Sequence, residues 1–170
     1  CIPLLQMISS IVCMCALACC QDLRRRTPHN YIFLGIFTLC EAFVITAISS
    51  MYETKAVFLA IAVTGFMVFG LAVYAWKTET DFTGAGGYLF CALLALVGFG
   101  FLTMFISSPL SERLYAAGGA LLFSAFIVYD LQQLIGQKKY RTSPDEYIFA
   151  ALNLYLDIIN LFLFVLQLLN

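Results

Sequence analysis

The chain has 170 residues, 62% of them hydrophobic and 11% charged, with a formal net charge of −1 and a mean hydropathy of +0.93. Soluble domains carry about a quarter charged residues, so a water-soluble globular fold is excluded. The few basic residues leave no broad positive surface, and no nucleic-acid partner is expected. The composition is that of an integral membrane protein, all-α in class, forming a single transmembrane helical bundle over residues 1–170.

Six apolar stretches approach the roughly 20 residues that a bilayer requires. They cover 2–20, 31–50, 55–76, 85–106, 114–135 and 147–169, and none alternates in polarity as a barrel strand does. The first opens at Cys1 without an initiator Met, and it reads as part of a chain whose N-terminal portion is missing. It lacks the basic leader and small-residue cleavage site of a signal peptide, so an ordinary spanning helix is expected. It carries Cys13, Cys15, Cys19 and Cys20. One helix cannot close a tetrahedral metal site alone, and the single histidine, His29, lies elsewhere. These cysteines, with Cys40 and Cys91 in later apolar runs, read as small hydrophobes. Cys19 and Cys20, beside basic residues, are alternatively palmitoylation sites.

The linkers set the orientation. Linker 21–30 carries Arg24, Arg25 and Arg26; linker 77–84 carries Lys77; linker 136–146 carries Lys138, Lys139 and Arg141. If all six stretches span, these three loops share one side. They hold seven of the nine basic residues, leaving Lys55 and Arg113 opposite. The positive-inside rule places the basic loops in the cytosol. Thr83, Gly84, Ala85, Gly86 and Gly87 form a turn entering the fourth stretch. Gly118, Gly119 and Ala120 permit close helix contact in the fifth. Ser143, Pro144, Asp145 and Glu146 resemble a helix start, with Pro at the first helical position and acids in the first turn.

Two aspartates stand inside the last two stretches, in FIVYDLQQLI (Asp130) and LNLYLDIINLFLF (Asp157). A charge in hydrocarbon is costly, and such residues mark ion paths, proton relays or buried pairs. Counted from the cytosolic helix ends, Asp130 lies roughly 9 Å deep, and Asp157 and Glu41 roughly 15 Å deep. Asn153, Asp157 and Asn160, at i, i+4 and i+7, share one helix face, and Gln133 lies one turn beyond Asp130. Two carboxylates this close in a low dielectric resist joint ionisation and can share a proton. A divalent cation can replace that proton. Calcium takes six to eight oxygens and two carboxylates supply at most four, so weak, pH-dependent calcium binding at Asp130 and Asp157 is the expectation. Arg24 is placed to snorkel towards the carboxylates as a latch. The plainer account is a hydrogen-bonded pair that fixes helix packing, with the arginines as topology signals and Glu41 without an assigned partner.

The strings RRRTPHNYIFLGIFTLCEAF, KTETDFTGAGGYLF, LLFSAFIVYDLQQLI and DEYIFAALNLYLDIINLFLFVLQLL resemble the Bax-inhibitor family, most closely its lifeguard branch, from about residue 5 to 169. The resemblance implies a seven-helix bundle whose first helix is absent here. It implies a pH-sensitive calcium leak channel or exchanger of intracellular membranes, endoplasmic reticulum or Golgi, that suppresses cell death. Asp130 and Asp157 then match a di-aspartyl pH sensor, Arg24 a basic latch partner, and Glu41 an acidic residue of the lifeguard branch. The implied partners are lipid, calcium and protons, together with cell-death regulators or receptors in the membrane; no resident cofactor is implied.

Two rival readings differ in class. A membrane scaffold would modulate cell-death signalling by protein contact without flux. An intramembrane aspartyl protease also uses two aspartates on neighbouring helices, one of them following Tyr, as in Tyr129-Asp130. That chemistry is accompanied by a Gly-x-Gly-Asp string, whereas Asp157 stands in Leu154-Tyr155-Leu156-Asp157, and a Pro-Ala-Leu string is also absent. No enzymatic activity is expected.

Overall fold

A computed structural model describes residues 8, 29–106, 108–136, 138–140, 142–143 and 146–170. Among the described residues five helices follow one another: α1 His29–Ser49, α2 Thr54–Lys77, α3 Gly86–Phe105, α4 Pro109–Ile135 and α5 Tyr147–Leu168. No strand occurs among the described residues. The bounds of α1, α2 and α3 fall within two residues of those expected from hydropathy. The stretch 2–20 lies outside the described residues apart from Ile8, which packs against the main core.

One helix start and one start signal correct the sequence expectation. The fifth stretch was expected from residue 114, yet α4 begins at Pro109. Hydropathy falls at Ser111, Glu112 and Arg113, but helix formation does not depend on hydropathy. Ser108 is extended at φ −123°, Pro109 enters the first turn, and Glu112 supplies its acidic residue. A proline there loses no hydrogen bond, and the acid complements the helix dipole. The same helix stops at Gly136, which takes φ 70° and donates its N–H to the Gln132 carbonyl at 3.2 Å. The left-handed conformation costs glycine least. The last helix begins at Tyr147, where the hydropathy placed its start, but residues 143–146 do not form its first turn as their sequence suggested: the Glu146 N–H donates to the Ser143 carbonyl at 2.9 Å in a turn before the helix, and the helix's first turn holds no acid.

α5 lies at the centre. It packs along α4, α2 packs across both, α3 lies against α4, and α1 makes a smaller contact with α5. Leu161, Phe164 and Leu166 on α5 are essentially inaccessible, and Tyr115, Ala116, Phe123 and Ile127 on α4 close around them. Gly119 allows the closest approach: a Cβ there would lie 2.5 Å from the Phe164 ring. Phe164 therefore settles against the α4 backbone, stacked on Phe123 at 5.7 Å and edge-on to Tyr115 at 5.2 Å between centroids. Small residues at helix crossings serve this purpose in membranes, where dispersion replaces the hydrophobic effect as the force between helices. On α1, α5 is met by Phe37 against Leu152 and Leu156, and by Ile48 against Ile159 and Leu163. A cleft of about 350 Å³ between α1, α2 and α5 leaves α1 the least embedded of the five.

The outer surface is apolar. Phe43, Phe66, Phe69, Tyr88 and Phe105 are all well exposed, which in water would be an aggregating patch and in a bilayer is the lipid face. Cys40 and Cys91 are free thiols on this outer surface rather than inside the bundle. Four helical segments are long and apolar enough to cross a membrane: Thr54–Lys77, Gly86–Phe105, Pro109–Ile135 and Phe149–Leu168; α1 adds a shorter apolar run, Phe37–Ser49. The described residues thus form an all-helical bundle of an integral membrane protein, with four such spans among them where hydropathy alone suggested six over the whole chain.

Candidate functional site

α4 and α5 run side by side, and the polar residues they share converge at one end of the bundle. Asp130 is five residues before the end of α4, and Asp157 is buried in the middle of α5 with 9% of its surface exposed. Their carboxyl groups lie beside one another. Two neighbouring carboxyl groups in a low dielectric resist joint ionisation. The second Asp157 oxygen, Oδ2, is buried without a partner.

Asp130 also faces a cavity of about 460 Å³ lined by Gln133, Thr142, Ser143, Glu146 and Asn153, with Tyr129, Phe149 and Ala150 as its apolar walls. The cavity thus brings Asp130, Gln133 and Asn153 together, with Asp157 buried beside Asp130. Asn153 keeps a buried, unpartnered Oδ1 there. Asn160, one to two turns deeper on the same face of α5, donates its amide to the Leu156 carbonyl at 2.8 Å.

Glu41 is placed elsewhere. It is 3% exposed on α1, the helix that meets α5 at Leu152, Leu156, Ile159 and Leu163, and it does not line the cavity that Asp130 faces. Arg24, Arg25, Arg26, Cys19 and Cys20 lie outside the described residues. Among the described residues no group of three or more His, Cys, Asp or Glu side chains could hold a metal ion. A cation at Asp130 and Asp157 would therefore need amide, hydroxyl or water oxygens to complete its shell.

One residue was not anticipated from sequence. Gln132, 1% exposed, accepts the Phe82 N–H at 2.8 Å and donates to the Thr80 carbonyl at 2.9 Å. It pins the α2–α3 loop to the end of α4. The clasp continues outward: the Lys138 ammonium donates to the Thr78 and Glu79 carbonyls, both at 2.9 Å. The Tyr140 N–H donates to the Thr83 hydroxyl at 3.2 Å. Asp81 closes the turn by accepting the Thr83 hydroxyl at 2.6 Å and its N–H at 2.9 Å. The Thr83 hydroxyl first, then its N–H, hold the Asp81 carboxyl below the usual carboxylate range. The Asp-x-Thr spacing was a legible turn signal; Gln132 carried none, since its partners are some fifty residues away. Two of the three basic loops are joined by these bonds at the same end of the bundle as the cavity.

The fold and the site define a polytopic helical membrane protein with two neighbouring buried aspartates, one of them facing a polar cavity. The whole chain, residues 1–170, matches the protein-family model described as Inhibitor of apoptosis-promoting Bax1, and it belongs to that Bax-inhibitor family. It is 42% identical over 165 residues to human protein lifeguard 3, covering 94% of this chain and 53% of that protein. The mouse lifeguard 3 is 42% identical over 163 residues, covering 93% and 52%. Mouse lifeguard 4 is 41% identical over 147 residues, covering 86% and 60%. The relatives are consistent with the lifeguard branch, and the chain spans about half the length of the lifeguard 3 proteins it matches.

Proposed function

We propose that the chain is the core of a pH-sensitive calcium leak channel or exchanger of intracellular membranes, endoplasmic reticulum or Golgi, associated with suppression of apoptosis. The single observation that carries this reading is the side-by-side placement of Asp130 and Asp157, with Asp130 facing an open polar cavity. A shared proton holds α4 to α5 there. When it leaves, two like charges face each other in a low dielectric, and either the helices part or a cation takes its place. Calcium at this site would draw on both carboxylates, with Asn153, Gln133 and water as further oxygens.

The reading includes six spans, with loops 21–30, 77–84 and 136–146 cytosolic, because those loops hold most of the basic residues. Arg24 is then the latch that pairs with the carboxylates from the cytosolic side, and Glu41 is a supporting polar group on α1.

The test is calcium flux into proteoliposomes containing the full-length protein, at two pH values, with and without Asp130→Asn/Asp157→Asn. The double substitution is expected to flatten the pH dependence of flux. Equal flux and equal pH response in both proteins would remove the sensor.

The description of the family as inhibitors of a death-promoting protein favours a second reading, a scaffold that acts by contact with cell-death regulators or receptors. In that case the double substitution leaves partner binding and cell survival intact whatever it does to flux.

A further inference from the structure

The cavity that Asp130 faces lies at the end of α4 and the start of α5. At the opposite end of the bundle a groove opens between α1, α2 and α5. Its inner part, of about 350 Å³, is walled by Ile61, Gly65 and Val68 of α2 and by Ile158 and Phe162 of α5, with Thr64 as its one polar side chain among the described residues. Its outer part, of about 600 Å³, shares Ile45, Ile61 and Phe162 with the inner one, so the two are continuous. The outer part ends at the α1–α2 loop in five hydroxyls, on Thr46, Ser49, Ser50, Tyr52 and Thr54. The groove is apolar in its depth and polar at its mouth.

Its length selects the occupant. On α2 it runs from Thr54, the first residue of the helix, to Val68, about 21 Å along the axis. The helix continues beyond it to Lys77. Half of a bilayer's hydrocarbon core is about 15 Å thick, so the groove covers one leaflet with its polar surface and then stops. A docked transmembrane helix would need a groove through both leaflets. A lipid needs only this much, and its own polarity falls in the same order, from the membrane surface inwards.

The mouth restricts the headgroup. The Thr46 and Ser50 hydroxyls donate to the Ala42 and Ala47 carbonyls, both at 2.8 Å, which leaves their oxygens to accept. Glu53 and Lys55 flank Thr54 in the chain, both exposed, one charge of each sign. The matching headgroup is zwitterionic. It brings N–H donors to the hydroxyl oxygens and Glu53, and a phosphate to Lys55. Ethanolamine phospholipids supply both; choline has no N–H to donate.

We propose that this groove binds one ethanolamine phospholipid, with an acyl chain in the inner cleft and the headgroup on the hydroxyl mouth. The acyl chain fills the space between α1 and the α2–α5 pair, so the lipid completes the packing of the least embedded helix. The site is separate from the aspartates and stands whether or not they gate an ion.

The experiment is native mass spectrometry of the full-length protein in detergent, offered equal amounts of ethanolamine, choline and glycerol phospholipids with the same acyl chains. The protein is expected to retain one ethanolamine lipid about tenfold over the other two, the effect of one charge-assisted hydrogen bond. Gly65→Phe fills the groove, since a Cβ at Gly65 meets no atom within 4 Å, and is expected to abolish retention. Gly98→Phe, at an equally open position on the outer face of α3, is expected to keep it. Ile61→Trp, on the exposed wall common to both parts, decides the matter if Gly65→Phe does not fold. Thr46→Val/Ser50→Ala is expected to bring ethanolamine and choline lipids to parity. The ethanolamine lipid should also raise the Tm of the parent and not that of Gly65→Phe. Retention without headgroup preference and equal in all variants would make the groove ordinary bilayer contact and overturn the proposal. A dimer abolished by Gly65→Phe would assign the groove to a second copy of the chain and overturn it as well.

Discussion

Replacing Gln132 by Leu would test whether the two loops at the mouth are held by this one buried amide. Leu keeps most of the volume and removes both polar groups. Two hydrogen bonds are lost, to the Phe82 N–H at 2.8 Å and the Thr80 carbonyl at 2.9 Å. Each is worth about 1 kcal/mol net. Thr80 is exposed and its carbonyl can turn to water, while Phe82 is half-buried and its N–H is harder to rehydrate. The expected loss is therefore about 2 kcal/mol, with the larger share at Phe82. For a chain of this size that corresponds to a fall of about 4–8 °C in Tm, read by thermal unfolding of the full-length protein in detergent. Hydrogen exchange at the Phe82 and Thr83 amides should accelerate while the core of α5 stays protected. Gln132→Glu retains an acceptor for Phe82 and should lose less. Unchanged Tm and unchanged exchange in Gln132→Leu would refute the idea that Gln132 organises the loops.

Further predictions concern packing and pH. Gly119→Ala places a Cβ 2.5 Å from the buried Phe164 ring and is expected to cost about 1–3 kcal/mol by overpacking. The same change at Gly118, where the nearest atom is 3.7 Å away, should be close to neutral; equal losses at both sites by thermal unfolding would contradict the packing described. Asp81 is held below its ordinary value by Thr83. Its contribution to the loop clasp is thus fully present above the unfolded value of about 3.9 and is lost as pH falls through the lower folded value. Exchange of the Thr83 and Tyr140 amides should rise at low pH, and Asp81→Asn should weaken that pH dependence.

The sequence determined that this is a membrane protein and roughly where its helices run. Long apolar runs satisfy the backbone internally wherever they lie in a bilayer, so length and hydropathy were enough. It also exposed the two aspartates and the Asn153, Asp157 and Asn160 face, because a polar residue inside an apolar run stands out and helical spacing sets its direction. The start of α4 at Pro109 was less legible, since hydropathy and helix propensity diverge over Ser111, Glu112 and Arg113. Only the tertiary structure decided which polar residues meet. It set Asp130 beside Asp157 and left Glu41 outside the cavity that Asp130 faces. It placed Cys40 and Cys91 on the outer surface and chose Gln132, rather than only its neighbour Gln133, for a structural role. Helical periodicity orders residues within one helix, but which face meets which depends on how the helices cross. Here the crossing of α4 and α5 is set by Gly119 accepting the Phe164 ring, a contact between residues forty-five positions apart that no local pattern in the chain records.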